Sequence, residues 1–296
     1  MAILLSIDMD FHTPNRGEAG EKTITCRSPK TGETVAVHPM MLWDWGHSEG
    51  YTPALQEILW QSRYNAFRRV GLDPLEACPL AATPSLELFA QEVTRRCERM
   101  EDAILAISDS HAFGLQVAQT AAFLGSARYR RPLDRILHFD AHHDLGYSDG
   151  EVRKWTEKRS VDCGTWLFAA LEMGVAKGAD VVYPDWRVIP EGRPKHSRWK
   201  EVSRRVKFYS WSEWRANGKD YGKVAATHLC RSSAWVPPWH DGAFQRLVDL
   251  LPRQATCLDC APGGQRIGGH DACRPRKWDR AQAERDAAAY AKAMAP

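Results

Sequence analysis

Arg135-Ile136-Leu137-His138-Phe139-Asp140-Ala141-His142-His143-Asp144 is the stretch on which the reading of this chain turns. Arg135–Phe139 has the length and composition of a buried strand, and it empties directly into a run of aspartates and histidines. In extended backbone alternate side chains share a face, so Asp140, His142 and Asp144 point one way and Ala141 and His143 the other. Two carboxylates and an imidazole converging at a strand end make a divalent-cation site. The mixture of hard oxygen and borderline nitrogen suits manganese, iron, cobalt or zinc better than calcium. Charges packed this tightly after a buried strand would repel without a cation, which weighs against an incidental surface loop.

Moving outward, short apolar runs alternate with helical stretches, the pattern of an α/β chain. Strands are expected at Ile3–Ile7, Ala103–Ile107, Val181–Tyr183, Val206–Tyr209, Val224–Leu229 and Ala255–Leu258. Helices are expected at 53–70, 84–99, 114–125, 165–177, 241–251 and, in the Ala-rich tail, 278–295. Residues 12–50 are polar and rich in Gly, Pro and Thr. They read as an irregular insertion, with a hairpin around Glu33–Val37. No repeat or linker divides the chain, so residues 1–296 are expected to form one domain, three-layered around a mostly parallel sheet. In such sheets ligands sit beyond the carboxyl ends of strands.

Two further strand ends carry candidate ligands. Ile3–Ile7 ends in Asp8-Met9-Asp10-Phe11-His12, where Asp8 and Asp10 share a face by the same spacing. Ala103–Ile107 ends in Ser108-Asp109-Ser110-His111. An Asp-x-Asp can be a cap and a lone histidine is more often structural. Three such ends in one α/β chain are stronger together than singly.

Composition narrows the class. The 296 residues carry 40 basic and 37 acidic side chains, a net charge of +3, too balanced to argue for nucleic acid. No apolar run approaches the ~18–20 residues of a membrane span. The opening Met1–Leu5 lacks the basic start of a secretory signal and meets Asp8 too soon. A cytoplasmic protein is expected, and a homo-oligomer is compatible with the sequence. Eight scattered cysteines do not form a disulfide framework. Cys257, Cys260, His270 and Cys273 have spacing that a structural zinc could use. Cys257, however, lies in an expected core strand, which favours ordinary buried or loop cysteines. The twelve tryptophans read mainly as packing, with some available to line a groove.

Asp140-Ala141-His142-His143-Asp144 resembles the Asp-Ala-His-x-Asp signature of the arginase, agmatinase and deacetylase fold. Ser108-Asp109-Ser110-His111 resembles the Gly-Gly-Asp-His strand end that precedes that signature. The N-terminal Asp-x-Asp-Phe and Cys230-Arg231-Ser232-Ser233-Ala234-Trp235-Val236-Pro237-Pro238 resemble a divergent branch that includes peptide arginases. Those enzymes convert arginine to ornithine within ribosomally made peptides. The resemblance implies hydrolysis of a guanidinium to an amine and urea at two manganese ions, with an arginine-containing peptide or a small guanidino compound as substrate. It implies metal ligation by His111, Asp140 and Asp144 on one side and His142, Asp8 and Asp10 on the other, with Asp140 bridging. Asp144 is the implied proton acceptor. His143, His12 or His47 would protonate the leaving amine. Asp259, in Asp259-Cys260-Ala261-Pro262, falls where the family has an acid that holds the guanidinium. Cys163 and Trp166, in Cys163-Gly164-Thr165-Trp166, fall at the family's substrate loop, and Arg231 is a further substrate-side candidate. One departure stands out. The family's late Asp-x-Asp-x-x-Asp-Pro is replaced after Val224–Leu229 by Arg231-Ser232-Ser233, so Asp8 and Asp10 must supply those carboxylates. Two other readings are a one-zinc deacetylase, with His142-His143 as its base pair, and a metal-stabilised binding protein without turnover.

Overall fold

The computed structural model describes residues 2–14, 19–20, 23–27, 31–37, 53–124, 131–188, 191–252, 256–261 and 264–267, with positions 281, 282, 284, 285 and 288 helical near the C terminus. Strand β1 (Ala2–Asp8) runs into a 3₁₀ turn at Met9–His12. β2 (Ile24–Arg27) and β3 (Thr34–Val37) pair antiparallel, the hairpin expected inside the polar insertion. Helices α1 (Pro53–Arg69), α2 (Pro74–Ala77) and α3 (Leu86–Arg96) follow, then β4 (Cys97–Glu98), β5 (Ile104–Ser108) and α4 (Gly114–Leu124). Next come β6 (Arg135–Phe139), α5 (Asp149–Lys158), α6 (Trp166–Glu172), β7 (Ala179–Tyr183), α7 (Trp199–Val202) and β8 (Val206–Ser210). The described elements close with α8 (Trp211–Ala216), β9 (Tyr221–Cys230), α9 (Asp241–Leu250), β10 (Thr256–Ala261) and β11 (Gly264–Ile267).

The main sheet has the order β11-β10-β5-β9-β1-β6-β7-β8, with β4 also pairing β9. All its pairings are parallel except the one between β10 and β11. Period-two alternation gives the sheet two apolar faces. Ile3, Leu5, Ile7, Leu137, Phe139 and Leu229 face one side, against Phe89, Val93, Trp211, Trp214, Phe244 and Leu247 of α3, α8 and α9. Leu4, Ile136, Val181 and Ala226 face the other, against Val117 and Ala118 of α4, Trp155 of α5 and Trp166–Leu171 of α6. Helix, sheet and helix thus form three layers, the architecture the alternating pattern predicts.

Local chemistry sets the element ends. The Ser85 hydroxyl accepts from the Leu88 amide (3.3 Å), so α3 starts at Leu86, two residues after the expected start at 84. Ser210 and Glu213 form a reciprocal capping box that starts α8, a signal present in the sequence but not read from it. α6 stops at Glu172, earlier than the expected 177, because Gly174 takes φ +69° just beyond it.

Candidate metal centre

The four central strands β5, β9, β1 and β6 end together. Ser108 and Asp8 both pair with Cys230, and Ile7 pairs with Phe139. Each chain turns at that level in its own way. The Asp8 carboxylate accepts the Asp10 amide (2.9 Å), an Asx turn that swings Asp10 back over the sheet end. Asp10 Oδ1 then accepts the Ala141 amide (3.2 Å), tying the end of β1 to that of β6. Ser110 caps the short turn that starts at His111. Beyond Phe139 the chain is not extended but bends at 140–142, so the alternating-face argument stops there. Asp144 adopts φ +52°, a left-handed conformation that aspartate tolerates better than most residues, and this returns its side chain to Asp140.

The result is a buried knot of carboxylates and imidazoles. Nδ1 of His111 lies 2.8 Å from Asp140 Oδ2, 3.0 Å from Asp8 Oδ2 and 3.2 Å from Asp144 Oδ2. One imidazole nitrogen carries at most one hydrogen, so it cannot satisfy three carboxylate oxygens at once. His138 Nε2 stands 3.4 Å from Asp140 Oδ2 and 3.7 Å from Asp144 Oδ2, and neither of its ring nitrogens makes a hydrogen bond of good geometry among the described residues. The other oxygen of Asp140 faces a second set. Asp140 Oδ1 is 3.5 Å from His142 Nδ1, which is 3.0 Å from Asp10 Oδ2. Among the described residues, three groups have donor atoms all within 4.8 Å of one another: His111, His138, Asp140 and Asp144; Asp8, His111 and Cys230; and Asp10, Asp140 and His142. Crowded buried anions with too few donors fit a cation, and these groups could hold a metal ion.

Electrostatics agree with that deficit. Burial alone would lower the pKa of His111, but the Asp8 charge and hydrogen bonds with Asp140 and Asp144 outweigh it and hold it well above the ordinary value. Burial raises Asp140, and Asp10, Asp144 and Asp8 add to it. Burial and Asp10 likewise raise Asp8. Burial would raise Asp10 too, yet its hydrogen bond with His142 and the charge there bring it below the usual range. His138 is pushed well down by burial and by the charges of His111 and His228, leaving a neutral imidazole, the form that ligates metal.

A surrounding layer fixes these groups. Trp166 Nε1 donates to Asp144 Oδ2 (2.7 Å), and the Ser232 hydroxyl donates to Asp8 Oδ2 (2.8 Å). Ser6 Oγ sits 2.8 Å from His111 Nε2, leaving Nδ1 to face the carboxylates. Arg231 grips Asp109 through Nε (2.6 Å) and Nη2 (2.5 Å) and reaches Asp241 through Nη1 (3.4 Å).

Of the sequence candidates, Asp8, Asp10, His111, Asp140, His142 and Asp144 come together, with Asp8 beside His111 rather than paired with His142. Trp166 is fully buried and packed on His111 at 5.3 Å, so it supports Asp144 instead of touching a substrate. Arg231 is 3% exposed and holds two aspartates, which likewise removes it from the substrate side. His143 faces away from the knot. Its Nδ1 accepts the Leu145 amide (3.1 Å), its ring stacks on Tyr147 at 4.5 Å, and burial drops its pKa to about 3. His12 is wedged against Phe89 (4.8 Å) and Phe11 (5.1 Å), and burial brings it to about 3, leaving it neutral. Cys163 is half-buried in a loop whose Gly164 carbonyl accepts the Gly146 amide (2.7 Å). The backbone of Asp259, on β10, pairs with Ile107 of β5; its side chain and those of Cys257 and Cys260 lie outside the described part, as do His47, His270 and Cys273. Two candidate donors went unassigned in the sequence. His138 was visible two residues before Asp140, on the same strand face as Ile136, and Cys230 was visible at the end of the strand beside β1.

Comparison of the chain with protein-family models, with curated proteins and with solved structures finds no match. Among the described residues no helix is long and apolar enough to cross a membrane.

Proposed function

We propose that this chain is a metal-dependent hydrolase that acts on the guanidinium of arginine, within a peptide, and releases urea to leave ornithine. The observation that carries the reading is the double allegiance of Asp140. Its Oδ2 joins the His111 set at 2.8 Å and its Oδ1 faces the His142 set at 3.5 Å, so Asp140 would help hold a cation in either set. His111, Asp144 and Asp8 would hold one cation, with His138 and Cys230 in reach; Asp10 and His142 would hold the other. The donors are mostly carboxylate oxygen with imidazole nitrogen, which suits manganese.

Cations bound there supply Lewis acidity and acidify a water toward neutral pH. The chain's own residues do the rest. Asp144 accepts the proton of the attacking water, and the Trp166 indole keeps its carboxylate aimed into the site. Ser232 does the same for Asp8, standing where the resembling family places further acids. His142, with a side chain 30% exposed, is the most open imidazole of the knot and the one a substrate meets first. A one-zinc deacetylase would need His142 and His143 to act as a pair, and in this fold the two rings turn to different partners.

The test is urea release by the manganese-loaded chain from an arginine-containing peptide and from free arginine, beside Asp140→Ala and His142→Ala. Urea from the wild type, and its loss together with bound metal in both variants, supports the reading. Full activity in either variant sinks it.

A further inference from the structure

Beside the metal knot lies a buried carboxylate that the ligand sets do not use. The side chain of Glu191 is only 7% exposed. Its Oε2 accepts from the Tyr183 hydroxyl (3.2 Å), and the Tyr147 phenol lies close enough to pull its pKa down. Oε2 also lies 4.0 Å from Nε2 of His143, whose ring is neutral and stacked on Tyr147. Among the described residues no lysine or arginine forms an ion pair with it. The elements around it place it at the site. Tyr183 ends β7, the strand next to β6, and His143 and Tyr147 belong to the segment that carries Asp140, His142 and Asp144.

A carboxylate buried to this degree, bonded by one phenol and with no lysine or arginine in ion-pair contact among the described residues, is costly unless something cationic approaches it. Burial raises its pKa accordingly, opposed first by the charges of His142 and Arg187. Structural carboxylates of this fold look different: buried Asp180 is bonded by Arg135 (2.5 Å), Lys219 (3.0 Å) and Tyr221 (2.9 Å).

We propose that Glu191, framed by Tyr147 and Tyr183, seats the planar cation of the substrate beside the metal centre. The proposal rests on the guanidinium-hydrolase reading and names the group that gives it charge specificity. The Tyr183 phenol fixes the carboxylate, leaving it to pair with a guanidinium by charge-assisted hydrogen bonds.

The experiment uses the manganese-loaded full chain and two peptides that differ only at the arginine position. One carries an amidine, a planar cation that yields no urea; the other carries citrulline, which is neutral. Calorimetric titration of the wild type is expected to favour the amidine peptide by about 10- to 100-fold, the scale of a hydrogen bond to a charged group. Glu191→Gln should retain manganese affinity and lose that preference, while Glu191→Asp keeps part of it. A wild type that binds both peptides equally overturns the proposal, and so does a metal-binding Glu191→Gln that still discriminates. Urea release from the arginine peptide is scored separately. A chain that prefers the cation yet releases no urea refutes the hydrolase reading and leaves the Glu191 assignment standing.

Discussion

Replacing Trp166 with phenylalanine removes one bond from the knot and leaves the ligands themselves untouched. The indole Nε1 donates to Asp144 Oδ2 at 2.7 Å, and Trp166 and Asp144 are 0% and 4% exposed, so water cannot take over the bond. A hydrogen bond to a charged group contributes about 1.5–3 kcal/mol, which converts to about 10- to 150-fold in an equilibrium constant. Outer partners of metal ligands, when removed, cost affinity by about 10- to 100-fold. Trp166→Phe is therefore expected to weaken manganese binding by about 10- to 100-fold in a calorimetric titration. Some fold stability will be lost as well, because phenylalanine leaves part of the indole volume empty. Chemical denaturation of the metal-free chain measures that loss separately. A second variant reaches the same bond from the other side. A Cβ on Gly114 would lie 2.6 Å from Trp166 Cδ2, so Gly114→Ala must displace the ring and should weaken manganese binding too. A folded Trp166→Phe that binds manganese with wild-type affinity would refute the claim that the indole orients Asp144.

Two more outcomes follow from the same geometry. His111 and Asp140 both have raised pKa values in the folded chain, so the protonated cluster stabilises the metal-free fold at low pH and that contribution is lost as pH rises through the folded pKa values. A cation replaces those protons, so the rise in Tm on adding manganese should grow between about pH 5.5 and about pH 8; a rise that is flat or shrinks contradicts this. Arg231→Met leaves Asp109 and Asp241 without the guanidinium that joins them, and a broken buried pair costs about 3–5 kcal/mol, read as a lower midpoint in urea denaturation; a wild-type midpoint would show the fork to be dispensable.

The sheet was legible because its strands are short apolar runs with period-two burial, as Ile3, Leu5 and Ile7 on one face and Leu4 on the other illustrate. The ligand residues were legible because strand ends in a parallel sheet point to one edge, and Asp8, His111 and Asp140 each follow such an end. The grouping of ligands was less so. Alternation along 140–144 assumed extended backbone, whereas the chain bends and Asp144 turns left-handed; His143 still ends up facing away, but because its ring bonds the Leu145 amide. His138 looked like part of an apolar strand, since nothing in the sequence says that its ring lies under Asp140. Trp166 and Arg231 were placed at the substrate by resemblance, and only burial and partner distances move them into support. Glu191 sits far in sequence from every motif, and a lone glutamate in a loop carries no signal until folding brings Tyr183 and His143 to it.

Anomalous diffraction from manganese-soaked crystals tests the central claim most directly. Two peaks are expected, one on the Oδ2 side of Asp140 among His111, Asp8 and Asp144, and one on the Oδ1 side between Asp10 and His142. No peak, or a single peak away from Asp140, would contradict a bridged pair of cations at these strand ends.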